Sequence, residues 1–305
     1  MAELPKVDKI WMDGELVDWD KAQVHVLTHA LHYGSGVFEG IRCYKTPDGP
    51  AVFRLTEHML RLERSCKMMR MDMGHSVEDL VEATKQLITA NGLKECYIRP
   101  LVFRGYGVMG LNPLPAPVNV TIAVWPWDSY LGEEAMKHGA TAGVSSWRQR
   151  SNNATPPQIK ACGAYVNASF AKMEAVDHGY DEAIILNEAG HVCEGTGENI
   201  FVVRDEILLT PLVSDGILEG ITRDTIIAIA DDMDIDVIEA TLVRTDLYTA
   251  DEVFMVGSAA EVVPIREIDH REVGEPGVIT KAIQAKYADV VHGRDADYEY
   301  WLERV

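Results

Sequence analysis

The alternation of apolar and polar positions predicts a chain built largely of strands, interrupted by a few amphipathic helices. KIWMDGELV (9–17) reads as a hairpin with Asp13-Gly14 at its turn. THALHYGSGVFEGIRCY (28–44), rich in glycine and aromatics, is expected to wind through a loop into a strand near Val37 to Tyr44. From Thr56, Met59, Leu62, Cys66 and Met69 recur at helical spacing, with Thr56 as the expected N-cap. SVEDLVEATKQLITANGL (76–93) is a second helix, opened by Ser76 and Asp79 and stopped by Asn91-Gly92. CYIRPLVFRG (96–105) and VNVTIAVWPW (118–127) follow as strands, separated by a loop dense in glycine and proline.

After residues 126 to 134 the pattern restarts with the strand ATAGVSSW (140–147), which places a domain boundary there. A helix led by Lys160, two consecutive hairpins (181–195 and 199–211) and a helix from Thr222 come next. The strands DVIEATLV (236–243) and DEVFMVGSAAEVVPI (251–265) and a last helix, ITKAIQAKYADVV (279–291), complete the pattern. The expectation is two α+β domains with largely β cores. They comprise a small N-terminal domain (1–126), an interdomain loop (127–135) and a larger C-terminal, β-barrel-like domain (136–305) that carries Lys160. The acidic stretch DADYE (295–299) reads as a solvated tail.

Composition changes this picture little but narrows the function. The 305 residues are 47% hydrophobic and 25% charged, as in ordinary globular proteins. Forty-eight acidic side chains against 28 basic ones give a formal charge of −20, which argues against nucleic acid and anionic membrane surfaces as partners. No basic-then-apolar leader and no long apolar run is evident, and the five cysteines are scattered, so a reducing cytoplasm is the expected location. His25, His29 and His32 lack a fourth ligand and no HExxH occurs, so no metal is expected.

Three features in the second half carry complementary chemistry. In TPPQIKACG (155–163) a single lysine, Lys160, is set among Ile, Ala, Cys and Gly. Apolar surroundings destabilise an ammonium, and the free amine is then a nucleophile suited to a Schiff base. LEGITRDT (218–225) opens a helix whose first N–H groups suit a phosphate, though an ordinary Thr222-capped helix fits the same residues. GSAAE (257–261) is a similar small-residue turn. In CEGTGENIF (193–201), Glu194 stands at a strand end where a carboxylate can point inward and needs a cationic or N–H partner. A lysine for an aldehyde, a helix start for a phosphate and a carboxylate for a ring nitrogen together describe pyridoxal 5′-phosphate.

The blocks HALHYGSGVFEGIR (29–42), YIRP (97–100), EGTGENIF (194–201), GITRD (220–224) and DEVFMVGSAAEVVP (251–264) occur in this order with these gaps. The sequence thereby resembles the fold-type IV pyridoxal-phosphate enzymes, and within them the branched-chain amino acid aminotransferases. The resemblance implies a two-domain α+β, D-amino acid aminotransferase-like architecture with the cofactor at the domain interface. It implies that Lys160 holds the cofactor and shuttles the proton, and that Glu194 partners the ring nitrogen. Arg61, Ile221, Thr222 and Ser258 would bind the phosphate, Tyr165 the ring hydroxyl, and Leu218 would pack on the ring. The side-chain pocket would be Phe38, Gly40 and Tyr130, with Tyr33 and Leu111 from a neighbouring subunit. Ala259 and Ala260, with Arg42 and Tyr97 nearby, would take the α-carboxylate, and Arg99 the distal carboxylate of glutamate. The implied reaction is reversible, ping-pong transamination of L-leucine, L-isoleucine and L-valine with 2-oxoglutarate in at least a homodimer. The alternative on this scaffold is a D-amino acid or (R)-amine aminotransferase.

Overall fold

The computed structural model describes residues 4–127 and 132–305, which form two compact units. The first unit takes the chain through Trp127 together with Ile159–Ala164 and Asp289–Val305. Its elements are β1 (Lys9–Met12), β2 (Glu15–Asp18), α1 (His29–Tyr33), β3 (Gly36–Phe38) and β4 (Ile41–Thr46). There follow β5 (Gly49–Phe53), α2 (Leu55–Met68), α3 (Val77–Ala90), β6 (Cys96–Arg104) and β7 (Val118–Trp125).

The described strands of this unit form one eight-stranded antiparallel sheet. Its order is the C-terminal strand Leu302–Arg304, β5, β4, β6, β7, β1, β2, with β3 also on β6. Met59, Leu62 and Cys66 of α2 and Leu80 and Leu87 of α3 are buried in one core with Ile41, Val52, Ile98 and Val124 of the sheet. The two helical stripes are thus the apolar faces that cover the sheet. Asp13 and Gly14, both at positive φ, form the β1–β2 turn, as their sequence requires. Ser76 and Asp79 close the expected capping box on α3, at 3.1 and 3.0 Å.

One expectation about this unit fails and another holds only in part, for one reason. Thr56 does not cap α2; the helix begins at Leu55 after Arg54 in a left-handed conformation, and the Thr56 N–H donates to Glu303 Oε1 at 2.6 Å. The acidic stretch 295–299 is solvated in part, with Asp297 and Glu299 exposed, but it does not end in a free tail. Tyr298 and Trp301 are buried, and Leu302–Arg304 pair with β5. A carboxylate from the far end of the chain supplies the negative charge that a helix start prefers. No local pattern around Thr56 contains that partner.

The second unit contains α4 (Glu133–His138), β8 (Ala140–Arg148), α5 (Tyr165–Asp177), β9 (Glu182–Leu186), β10 (Val192–Glu194) and β11 (Asn199–Arg204). It continues with β12 (Ile207–Thr210), α6 (Ile221–Asp232), β13 (Val237–Glu239), α7 (Arg244–Tyr248), β14 (Glu252–Gly257), β15 (Glu261–Ile268) and β16 (Arg271–Glu272), before α8 (Val278–Val291). The strands run β10–β9–β8–β15–β14–β11, and β10 also pairs with β11, so six strands close on themselves. β12 and β13 extend the sheet from β11. Phe201 and Phe254 face each other across β11 and β14, their rings stacked 5.1 Å apart. Such a pair adds about 0.5–1.5 kcal/mol beyond its buried area. The strand expected over 236–243 shrinks to Val237–Glu239, because only these residues pair with β12; Val243 makes an isolated bridge to His191.

Candidate active site

Lys160 does not lead a helix. Ala161 bridges Val37 in extended fashion, Phe38 N–H donates to Lys160 O at 3.0 Å, and the short helical turn begins only at Cys162. Tyr165 is the first residue of α5. The two prolines before Ile159 disfavour helix here, and β3 offers the backbone bonds that an extended strand requires. Lys160 is half-buried, with Nζ 5.3 Å from the centre of the Phe38 ring. Gly163 passes close to Gly34, where an added Cβ would come within 2.6 Å of the Gly163 Cα. Gly34 itself sits at φ +63°, so this crossing demands glycine twice over.

The Phe38 ring also meets Arg99, whose guanidinium lies 4.6 Å from that ring's centre, 5.3 Å from Tyr97 and 5.8 Å from Trp125. Its Nη2 donates to Tyr97 Oη at 3.3 Å. Arg99 makes no ion pair among the described residues, and its Nε is buried without a hydrogen-bond partner. Gly40 is needed at this point, because a Cβ would meet Tyr97 Oη at 2.0 Å. Arg42, opposite Tyr97 in the β4–β6 register, packs over Tyr44 and reaches Glu95 at 3.3 Å.

Arg61 on α2 is buried, and its Nε and Nη2 both donate to Glu39, at 2.7 Å each. His58 Nδ1 donates to the same carboxylate at 2.8 Å. Burial alone would raise the Glu39 pKa, but the Arg61 charge overrides it and holds the carboxyl well below the usual range. Glu39 lies inside the FEGIR block, yet nothing in the sequence said that its side chain faces Arg61.

In the second unit Glu194 ends β10 as expected and is held from three sides. Gln149 Nε2 donates to Oε1 at 2.6 Å, Leu218 N–H to Oε2 at 2.9 Å, and Asn199 Nδ2 to Oε2 at 3.4 Å. Asn199 also donates to Leu218 O at 3.0 Å, and a Cβ on Gly220 would strike its Oδ1. One asparagine thereby fastens the carboxylate to the lead-in of α6. That helix starts at Ile221 with Gly220 as N-cap and no side-chain cap, so Thr222 is not the cap; it lies in the first turn, buried. Close packing on Asn199 excludes any larger residue at the cap position. Gln149 carried no sequence signal. Asn199 was inside a quoted block without a role. Ser258, Ala259 and Ala260 form the turn from β14 to β15, next to Gly257.

Behind the Glu194 turn, Glu198 is buried and accepts from Gly197 N–H at 3.0 Å. Burial, then the neighbouring Glu182 charge, push its pKa up to about 8. Glu182 is itself buried and bound by Lys172 at 2.6 Å and Thr196 at 2.7 Å. An acid whose folded pKa lies above its unfolded value binds more protons folded than unfolded between the two. Stability should therefore fall as pH rises from about 5 to 8, by up to about 1.4 kcal/mol per unit from this group. Thermal melts of the protein and of Glu198→Gln across that range test this, since the variant should lose the slope; an unchanged slope would exclude Glu198 as its source.

Tyr33 and Leu111 are exposed, at 43% and 88%. Tyr130 lies outside the described residues. His29 uses its ring nitrogens on Ser35 Oγ and Gly110 O.

Pyridoxal phosphate needs an amine, a carboxylate for a protonated ring nitrogen and donors for a dianion. The residues present fit those needs. Each kind of group is present: the first unit has the amine of Lys160, and the second has the pre-oriented Glu194 carboxylate and the side-chain-uncapped start of the 12-residue α6.

Residues 36–268 match the model of the amino-transferase class IV family. The branched-chain-amino-acid aminotransferase of Escherichia coli (strain K12) is 47% identical over 304 residues, covering 98% of both chains. A crystal structure of the Escherichia coli branched-chain amino acid aminotransferase superposes with a TM-score of 0.96 at 46% identity, covering 98% of this chain and 99% of that one. The branched-chain amino acid aminotransferase of Thermobaculum terrenum, in its pyridoxal-phosphate form, gives 0.92 at 37% identity, covering 97% of both chains. From its matched blocks, its two-unit fold and this similarity along nearly its whole length, the chain belongs to the class IV aminotransferases.

Proposed function

We propose that this protein is a pyridoxal-phosphate-dependent branched-chain-amino-acid aminotransferase. It exchanges the amino group of L-leucine, L-isoleucine or L-valine with 2-oxoglutarate, giving the 2-oxo acid and L-glutamate by a ping-pong route. The observation that carries the substrate reading is Arg99, an arginine with no acidic partner among the described residues, framed by Phe38, Tyr97 and Trp125. Aromatic walls suit a branched aliphatic side chain, while the guanidinium suits the distal carboxylate of glutamate. One pocket thus serves two unlike substrates in turn.

The cofactor, when bound, supplies the electron sink that makes the substrate Cα–H acidic. Lys160 Nζ takes that proton and later returns it, a general acid–base role that needs the uncharged amine. Glu194 keeps a proton on the ring nitrogen, and its three donors keep the carboxylate in place without reorganisation. Ile221, Thr222, Ser258 and Arg61 would hold the phosphate, Tyr165 would hydrogen-bond the ring hydroxyl, and Leu218 would pack on the ring. The Ala259–Ala260 turn takes the α-carboxylate, with Arg42 and Tyr97 beside it. Tyr33 and Leu111, exposed in a single chain, complete the pocket of a second copy, so the functional unit is at least a homodimer. Free cysteines throughout the described residues support a cytoplasmic location. No described helix is long and apolar enough to cross a membrane.

Arg99→Ala should lower kcat/KM for 2-oxoglutarate by about 1.5–3 kcal/mol, the worth of a hydrogen bond to a charged group, while leucine loses much less. Half-reaction kinetics with each substrate separate the two. Equal losses would remove Arg99 from its proposed role.

A further inference from the structure

Glu39 and His58, buried against Arg61 in the first unit, are titratable groups that the chemistry above leaves without a task. Glu39 is 0% exposed, His58 2% and Arg61 5%. The carboxylate takes Arg61 through Nε and Nη2 in the side-on, two-bond geometry, which fixes the guanidinium plane. His58 Nδ1 donates to Oε2, which fixes the carboxylate in turn. Burial keeps His58 below its ordinary pKa, with the Arg61 and Lys160 charges adding to the effect against the opposing pull of Glu39. The imidazole is therefore a neutral donor, and the cluster holds one anion and one cation.

The backbone around Glu39 is pinned as firmly. Its own N–H donates to Pro100 O at 2.9 Å, while Phe38 N–H donates to Lys160 O at 3.0 Å. On the other side Gly40 lies under Tyr97 with no space for a side chain. Three consecutive residues thus touch the lysine strand, the arginine and the substrate-side tyrosine.

We propose that Glu39 is a positioning residue that orients Arg61 as the phosphate anchor and ties it, through the Phe38 backbone, to the extended segment bearing Lys160. This rests on the reading of Arg61 and Lys160 as cofactor ligands. A long arginine side chain has many rotamers, and holding one of them in advance removes that ordering cost from phosphate binding. An arginine that carried only its charge would not need a dedicated carboxylate, which cancels part of that charge.

The test compares affinities of the apoenzyme for pyridoxal phosphate and for pyridoxal, which lacks the phosphate, by tryptophan fluorescence. Glu39→Gln should weaken pyridoxal phosphate about ten- to a hundredfold and pyridoxal by less than about threefold, the scale seen when a group that orients a ligating side chain is removed. Equal weakening of both, as a general structural defect would give, or no weakening, overturns the proposal. If Glu39→Gln does not fold, because Arg61 is left buried without its counter-charge, Glu39→Asp decides the same comparison. It keeps the charge but is too short for both bonds. The double variant Glu39→Gln/Arg61→Met separates the two readings. Loss of the preference for the phosphorylated ligand supports Arg61 as the anchor. If the preference survives there, that reading of Arg61 falls and the role of Glu39 with it.

Discussion

Lys160→Ala should bring transamination below detection while leaving the protein folded. In the proposed mechanism the side chain provides both the covalent attachment and the proton transfer, and proton transfer by a positioned group alone is worth about 10²–10⁴-fold. The fold should tolerate the change because the structural contribution of this residue is its backbone. Lys160 O accepts the Phe38 N–H, and Ala161 bridges Val37, and alanine preserves both. A coupled assay with leucine and 2-oxoglutarate, the visible absorbance of the cofactor-loaded protein, and a thermal melt give the three readouts. Activity and the visible band should vanish together with the melting temperature nearly unchanged. Normal turnover in this variant would end the assignment of Lys160, and loss of folding would show that the extended strand depends on the lysine side chain as well.

Glu194→Gln should reduce kcat/KM by about 10²–10³-fold, the loss measured when one preorganised electrostatic partner is removed from an active site. The substitution keeps the size but replaces an anion that accepts from Gln149, Leu218 and Asn199 with an amide that has only one acceptor oxygen. Whichever way the amide turns, its NH₂ faces another donor, and a proton on the ring nitrogen loses its counter-charge. Both half-reactions depend on that proton, so the loss should be equal for leucine and for 2-oxoglutarate. This separates Glu194 from Arg99, whose loss is expected to fall on the carboxylate-bearing substrate. A Glu194→Gln enzyme impaired with one substrate only would place its carboxylate at the substrate and not at the ring.

The residues that sequence reasoning singled out differ in how local their roles are. Ser76 with Asp79, and Asp13 with Gly14, were legible because a cap or a tight turn involves neighbours along the chain. Thr56 misled because the group that meets its N–H, Glu303, is 247 residues away. The same holds inside the site. Lys160, Glu194 and the start of α6 declare themselves by chemical type and by the glycines and small residues around them. Gln149 and Asn199, which hold Glu194, and Glu39, which holds Arg61, are ordinary polar residues until their partners are known.

By itself the sequence determined the chemical types and the family resemblance: a lysine, a carboxylate and a helix start, together with five ordered blocks that resemble one family, on alternating apolar patterns that build sheets. Only the tertiary structure decided that Lys160 stands in an extended segment whose Ala161 bridges Val37, that Ile159–Ala164 and the C-terminal strand join the first unit, and that Arg61 is bound to Glu39. The physical reason is that side-chain type and short-range periodicity are local properties. Strand pairing and the burial of a charge are settled by whichever distant segment supplies the matching hydrogen bonds.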